Sequence, residues 1–531
     1  MSADMQTTSR RARWFRDVHA AAVLGFAALV IVALGGAGCG GDGTTTPAEG
    51  SAGESADAAD AARRKPAADR APGAAGNGAP VAKNLLLISI DTLRTDVLGA
   101  YGSKRGATPR IDMLARRAIV FENAWTHTPK TAPAHMSMFT GLPPSVHGVG
   151  NLNTTGAQRL PASIRTLSEV LQDAGFATGG FTGGGNVKGS LGFDRGFDVF
   201  DDDNDAFGAK LERVQPWIEK ADTSGQPWYC FVHTYHTHDP YFPEPAWMKR
   251  FVKPGYDGKI LSTRAAIQAA IDAGDDLAPT MKGHEKTTWN YWFRVNEKSP
   301  KDLAHLFDLY TAGVAHMDKI VGEFLERLER KGLLDDTIIV FTSDHGEEFG
   351  EHGEVRHDQL WVENAHVPML VLLPGALHGG TRIPEVVRHI DLTPSLLDLL
   401  DVQDHGLEPL GLSWAGWLAP GSDRGAPRSV IGEHQSRREN PLDVFSLREE
   451  HLLLMDRVGT AELFDRRQDR QEKAAVARPK VQERLATTLA DHRATFAALA
   501  ERVGRGEVIE IDDALRAELE ALGYVGAGGD R

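Results

Sequence analysis

Two apolar runs that each end on an aspartate constrain this chain more than any other feature. Leu85-Leu86-Leu87-Ile88-Ser89-Ile90 is almost uninterrupted apolar sequence of strand length and stops at Asp91. Thr337–Thr342 repeats the pattern and reaches Asp344-His345 with only Ser343 between. A strand without polar alternation must be covered on both faces, which places it inside a mostly parallel sheet with helices above and below. Other segments supply those layers. Thr108-Pro109 reads as a cap and first-turn proline opening a helix through about Arg117. A helix near Ile164–Ala174, the strand Trp228–His233, a long helix from about Lys301 to Lys331, the run Pro368–Leu373 and a helix near Thr393–Leu400 follow. Strands alternating with helices predict one large α/β domain, whose ligands should gather at the carboxyl ends of the strands.

By that rule Asp91, Asp344 and His345 are the first candidates for chemistry. Two carboxylates and an imidazole at the ends of buried strands form a nest for a divalent cation. One aspartate after one strand is usually a turn former or helix cap; the repetition at two strand ends is what points to a metal. Composition narrows the partner. A formal net charge of −15 argues against nucleic acid, whose phosphates call for a net basic surface. With Cys39 and Cys230 as the only cysteines, no disulfide framework can hold the fold, and 41% hydrophobic and 25% charged residues are ordinary for a globular core.

The first forty residues read as an address. Arg10, Arg11, Arg13 and Arg16 precede an apolar run from Ala20 to Leu34, then Gly35-Gly36-Ala37-Gly38 and Cys39. Basic region, apolar region and small residues make an export signal. The arrangement resembles a bacterial lipoprotein signal with Cys39 as the lipidated residue, although Gly36 stands where leucine is usual. An uncleaved membrane anchor is the alternative, and Ser9-Arg10-Arg11 weakly suggests twin-arginine export. Residues 40–82 have almost no large apolar side chain and predict a flexible linker. The resulting division is an export signal over 1–39, linker over 40–82, catalytic α/β domain over 83–424, and a C-terminal subdomain and tail over 425–531. The last rests on short strands at Arg428–Glu433 and Val444–Met455 and a helix near Lys480–Val503.

Asn84 through Asp91-Thr-Leu-Arg94-Thr-Asp96 resembles the opening of the sulfatase family within the alkaline-phosphatase-like superfamily. Tyr101-Gly102, Thr108-Pro109, Ile111-Asp112, Phe121–Ala124, Pro133–Gly141 and Val146-His147-Gly148 continue the likeness. Phe341-Thr-Ser-Asp344-His345-Gly346, Val367-Pro368, Ile390–Asp398, Glu462–Asp465 and Leu522–Val525 extend it in order to about residue 525. The resemblance implies a mixed, mostly parallel central sheet flanked by helices, with a smaller C-terminal antiparallel sheet. It implies a metal held by Asp91, Thr131, Asp344 and His345, with calcium, zinc or manganese as the ion and one or two ions per chain.

The family's nucleophile lies two residues before the proline at 133 and is a cysteine or serine oxidised to formylglycine. Here it is Thr131, and His135 stands where the family has arginine. Oxidation of a secondary alcohol gives a ketone, not the aldehyde whose hydrate those enzymes use. Relatives in the wider superfamily use unmodified threonine for phosphate chemistry. Pro133 suits a first helical turn, which would put Thr131 at a helix N-terminus beside the metal. By resemblance His238 aligns with a histidine that holds the transferred group, and His357 falls where sulfatases carry a substrate-binding lysine. Either would orient the anion, protonate the leaving oxygen or bind a second metal. The family's lysine-and-histidine motif is replaced by Thr182-Gly-Gly-Gly-Asn-Val-Lys188. His236, His352 and His366 read as surface or loop residues. The expected reaction is hydrolysis or transfer of an anionic ester through a Thr131 adduct, phosphodiester or phosphonate favoured. Sulfate-ester hydrolysis by an unusual route and a non-catalytic binding lipoprotein are the alternatives.

Overall fold

The computed structural model describes residues 82–509 apart from 153–156, 282, 404, 419–421, 436–442 and 458. The export segment with Cys39, the linker through residue 81 and the Leu522–Val525 fragment lie outside the described residues. β1 (Asn84–Ile90) is buried at every position, and its side chains divide by parity. Leu85 and Leu87 join one apolar cluster, whereas Leu86, Ile88 and Ile90 join another on the opposite face. This is the two-sided burial that the unbroken apolar run demands.

The central sheet adds β2 (Ile119–Trp125), β3 (Ala177–Phe181), β4 (Val199–Asp201), β5 (Trp228–Thr234), β6 (Thr337–Thr342), β7 (His366–Leu372) and β8 (Arg382–Arg388). Its eight strands lie in the order β8-β2-β7-β6-β1-β5-β3-β4. All but β7 run in one direction. Since β6 and β7 are antiparallel neighbours, no crossover helix is needed between them. Their connection is free to stay at the carboxyl edge, where it carries Asp344, His345 and His357.

On one face lie α1 (Pro109–Arg117), α4 (Phe207–Thr223) and α5 (Pro300–Arg330), through residues such as Ile111, Leu211, Val214, Leu306 and Leu309. On the other lie α2 (Thr131–Thr140), α3 (Leu167–Asp173) and α6 (Leu392–Leu399), through Met136, Phe139, Leu167, Leu171 and Leu396. Thr108 does occupy the N-cap of α1, but its side chain does not cap it. Asp318 from α5 takes the Arg110 and Ile111 N–H groups instead, at 3.2 and 2.8 Å.

The C-terminal part is a four-stranded antiparallel sheet, β9 (Ser429–Gln435), β10 (Asp443–Glu449), β11 (Leu452–Arg457) and β12 (Thr460–Asp465), with α7 (Pro479–Val503) packed near it. The single strand expected over Val444–Met455 is two strands. They fold back at Glu450-His451, where Glu450 adopts a left-handed φ of 49°. No glycine or proline marks that turn, so the sequence reads as continuous. Leu485, Leu489 and Phe496 of α7 share an apolar cluster with Ile431, Leu447, Leu454 and Leu463, and that cluster is continuous with the central sheet.

Candidate active site

Each functional side chain stands at the carboxyl edge because a strand ends there. Asp91 follows β1 and Asp344 follows β6, and these two strands pair in register up to Ser89 and Thr342. Asp91, Asp344 and His345 are each 0% exposed, and their ligating atoms all lie within 4.8 Å of one another. The loop from β2 enters α2 with Lys130 at the N-cap, so Thr131 is the first helical residue rather than the cap. Pro133 sits in that first turn, where a missing N–H costs nothing. Thr131 Oγ1 donates to Asp91 Oδ2 at 3.2 Å and lies 3.5 Å from His345 Nε2. The sequence-assigned set Asp91, Thr131, Asp344 and His345 is therefore brought together.

The His345 tautomer is fixed by its neighbour. Nδ1 faces the Gly346 carbonyl at 2.9 Å and must donate, which leaves the Nε2 lone pair 3.3 Å from Asp344 Oδ2. Burial holds its pKa down to about 3. For Asp91 burial works toward a higher pKa, but the close approach of His233 and the histidine charges around it hold the group below the carboxylate range. Burial and the nearby Asp91 charge push Asp344 well above that range. Two adjacent buried carboxylates that disagree in this way are the situation a cation resolves. Asp91 Oδ1 and Asp344 Oδ2 are both buried without a hydrogen-bond partner, as ligand atoms would be. The residues fit a divalent ion.

His238 and His357 also converge, on a second group that includes Asp239. Their rings are 5.0 Å apart, and His357 is 4.7 Å from the ring of His345, so the two groups are neighbours. His238 Nδ1 donates to the Asp239 carbonyl at 2.8 Å and His357 Nδ1 pairs with Glu347 Oε1 at 3.1 Å. In each a neighbour fixes Nδ1, the usual arrangement of a ligating histidine and its buttress. Asp239 Oδ2 accepts from Trp292 Nε1 at 2.6 Å, while Oδ1 is buried and unpartnered. Burial opposes a proton on His238, yet Asp239, Asp91 and Glu347 outweigh it and raise its pKa. Burial, with the Lys130 charge, holds His357 well below the ordinary histidine value. Lys130 in turn pairs with Asp358, tying the cap of α2 to the residue after His357.

Sequence reasoning passed over Asp239, Glu347 and His233. His233, the penultimate residue of β5, has Nε2 3.5 Å from Asp91 Oδ2, and the Thr182–Lys188 loop braces it through Gly183 N at 3.3 Å. The signal for Asp239 was present, since it directly follows His238. His135 is buried, bonded to Ser89 Oγ at 2.8 Å and to the Thr131 carbonyl at 2.9 Å. It anchors the first turn of α2. His366 departs from the surface reading: it begins β7, with Nε2 on the Glu122 carbonyl at 2.9 Å and its ring 4.8 Å from Trp125. His236 and His352 lie in loops, the latter stacked on Trp361 at 4.1 Å. A cavity of about 650 Å³ opens beside the second group, with His233, His236, Asp239, Tyr241 and His316 in its wall.

Residues 83–402 match the family model described as Sulfatase. Choline-sulfatase of Rhizobium meliloti is 26% identical over 371 residues, which cover 61% of this chain and 69% of that enzyme. Two solved structures share the fold. One, bound to its substrate D-glucosamine-2-N,6-O-disulfate, has a TM-score of 0.63 at 19% identity, covering 78% of this chain and 98% of the other. The second, the phosphonate monoester hydrolase of Agrobacterium radiobacter, has a TM-score of 0.59 at 20% identity, covering 80% and 96%.

Proposed function

The chain belongs to the sulfatase family and is an ester hydrolase, and we propose that it cleaves a phosphodiester or phosphonate ester through a covalent adduct on Thr131. The observation that supports this most is the threonine hydroxyl at 131, set at a helix N-terminus and hydrogen-bonded to Asp91 at the centre of the first carboxylate-histidine group. We further propose that Asp91, Asp344, His345 and Thr131 hold one divalent ion and His238, Asp239 and His357 a second. Bound ions would neutralise the paired carboxylates and stabilise negative charge on the nucleophile and on the ester oxygens.

The chain's own residues do the rest. Asp91 Oδ2 already accepts the Thr131 hydroxyl hydrogen, so it is directed away from the attacking lone pair. Attack at phosphorus forms the Thr131 Oγ–P bond as the hydroxyl proton passes by way of Asp91 Oδ2 to solvent, and breaks the bond to the leaving oxygen, which takes a proton from solvent and departs as the alcohol. The positive end of α2 faces the anion that develops at residue 131. Water then attacks the phosphothreonine, releasing the acid and restoring Thr131. A sulfated threonine lacks the hemiacetal hydroxyl by which a formylglycine hydrate expels sulfate, so it should stall. The runner-up is sulfate-ester hydrolysis, and the name of choline-sulfatase supports it.

The test is a side-by-side assay of matched aryl phosphodiester, phosphonate monoester and sulfate on metal-loaded protein, with intact mass followed during turnover. The phosphorus esters should turn over faster, with a phosphorylated chain transiently present. Faster sulfate hydrolysis without any adduct would overturn the reading. The same proposal includes export and membrane tethering through Cys39, for which Cys39→Ser should abolish lipidation; unchanged mass and membrane partition would indicate an anchor instead.

A further inference from the structure

A second cavity, of about 1010 Å³, is not the one beside the catalytic groups. It lies between the β2–β8 edge of the central sheet and the C-terminal part, and arginine dominates its wall: Arg382, Arg424, Arg428, Arg466, Arg467 and Arg470. In a chain of net charge −15 such a concentration calls for a reason. Three of the six are satisfied. Arg382 pairs with Glu122 at 2.5 Å, Arg424 with Glu385 at 2.9 Å, and Arg428 with the buried Asp391 at 2.8 Å.

The other three are held less well. Arg466 stacks over Trp125 at 4.8 Å, and its buried Nε has no hydrogen-bond partner. Its nearest carboxylate, Glu472, is 3.7 Å away and already held in a two-pronged bond by Arg448. Burial outweighs the Glu472 charge and pulls the Arg466 pKa down to about 10. Arg467, largely exposed, reaches Asp465 at 3.5 Å through both Nε and a terminal nitrogen, a carboxylate that Arg478 holds at 2.6 Å. Arg470 is exposed and makes no ion pair among the described residues. Leaving a partly buried guanidinium without an acceptor is costly, and an oxyanion ligand is what its planar fork fits.

We propose that this cavity is a second anion-binding site, distinct from the Thr131 centre, whose ligand carries phosphate or sulfate groups held by Arg466, Arg467 and Arg470. The ligand has two sources. It is a free anion, or it is a remote charged group of the molecule that Thr131 attacks. Geometry allows the second: Thr95 lines this cavity and is four residues from Asp91, so the two are within about 14 Å along the chain. The site itself does not depend on which ester is cleaved.

The experiment uses the full-length, metal-loaded protein and isothermal calorimetry with two probes, inorganic sulfate and sucrose octasulfate. Wild type is compared with Arg466→Gln and Arg470→Glu; the second change is at an exposed residue and guards against loss of fold. Each variant should weaken binding of a probe about tenfold or more, with hydrolysis of a small aryl ester unchanged. Weakened binding of both probes identifies a site for free anions. Weakened binding of the octasulfate alone identifies one for several charged groups on one scaffold. Equal affinities in all three proteins would sink the proposal. So would loss of aryl ester hydrolysis in step with binding, because the cavity would then belong to the catalytic centre. Failure of every ester to react would remove the proposed function and leave the binding result intact.

Discussion

The two candidate ligand groups sit side by side yet are built differently. In the first, Asp91 and Asp344 are placed by backbone: each follows a strand whose hydrogen-bond ladder runs almost to it, and neither side chain is exposed. In the second, His238 and Asp239 lie in a turn beyond β5, and His357 follows Arg356, whose φ of 79° is left-handed without being glycine. Side chains do there what the sheet does for the first group: Glu347 behind His357, Trp292 behind Asp239, and Thr237 donating to the Asp91 carbonyl. A group held by a ladder moves only if the sheet moves. A group held by buttresses responds to each one separately. The first should therefore be tied to folding and the second to catalytic tuning.

The largest effect expected separates chemistry from both groups. Thr131→Ala removes the nucleophile and should lower phosphodiester turnover at least about 10³-fold. Metal analysis should still find the ions, because the carboxylates and histidines remain. Loss of metal along with activity would show Thr131 to be chiefly a ligand, and activity that persists would remove it from the reaction.

Asp344→Ala comes next and tests the link to folding. It should release the ion of the first group and keep that of the second. With free ion at about a hundredfold excess over its Kd, the binding removed corresponds to about 3 kcal/mol of apparent stability. The thermal midpoint of the metal-loaded protein should fall accordingly, and excess chelator should bring wild type down toward the variant. Equal metal content in both proteins would discard the assignment. His357→Ala is the counterpart. It should cost one ion and about 10²-fold in turnover while shifting the thermal midpoint much less than Asp344→Ala. A midpoint shift as large as that of Asp344→Ala would erase the distinction between the groups.

The same contrast explains what the sequence revealed. β1 and β6 were legible because burial on both faces forces an unbroken apolar run, and the residue that ends such a run is conspicuous. Thr131 came from the family resemblance, with Pro133 marking the first turn of its helix. β3 was not, since Ala177-Thr-Gly-Gly-Phe181 lacks the bulk of a strand. A Cβ on Gly179 would come within 2.7 Å of Trp217, and one on Gly180 within 2.6 Å of Phe200, so packing selects residues that local preference disfavours there. β2 escaped because Glu122 and Asn123 break its apolar pattern near the sheet edge. Asp239 stood in plain view before Pro240, where an aspartate reads as a turn residue. What recruits it is Trp292, far away in sequence and on a stretch, 242–300, that carries no motif.

That contact gives the smallest and most discriminating prediction. Trp292 is buried, and its Nε1 donates to Asp239 Oδ2 at 2.6 Å. Burial and the charges of Arg356 and His238 act on the same carboxyl, with the net result below the carboxylate range, so the group stays ionised and ready to ligate. Trp292→Phe keeps most of the ring packing against Tyr241 and Tyr291 and deletes the one N–H. Loss of such an outer partner typically costs about 10- to 100-fold in metal affinity. The variant should need more added ion to reach full activity, about tenfold at the lower end, with turnover near wild type once saturated and the first ion unaffected. An unchanged ion requirement would mean that Asp239 is positioned by the backbone after all, and that the two groups are built alike.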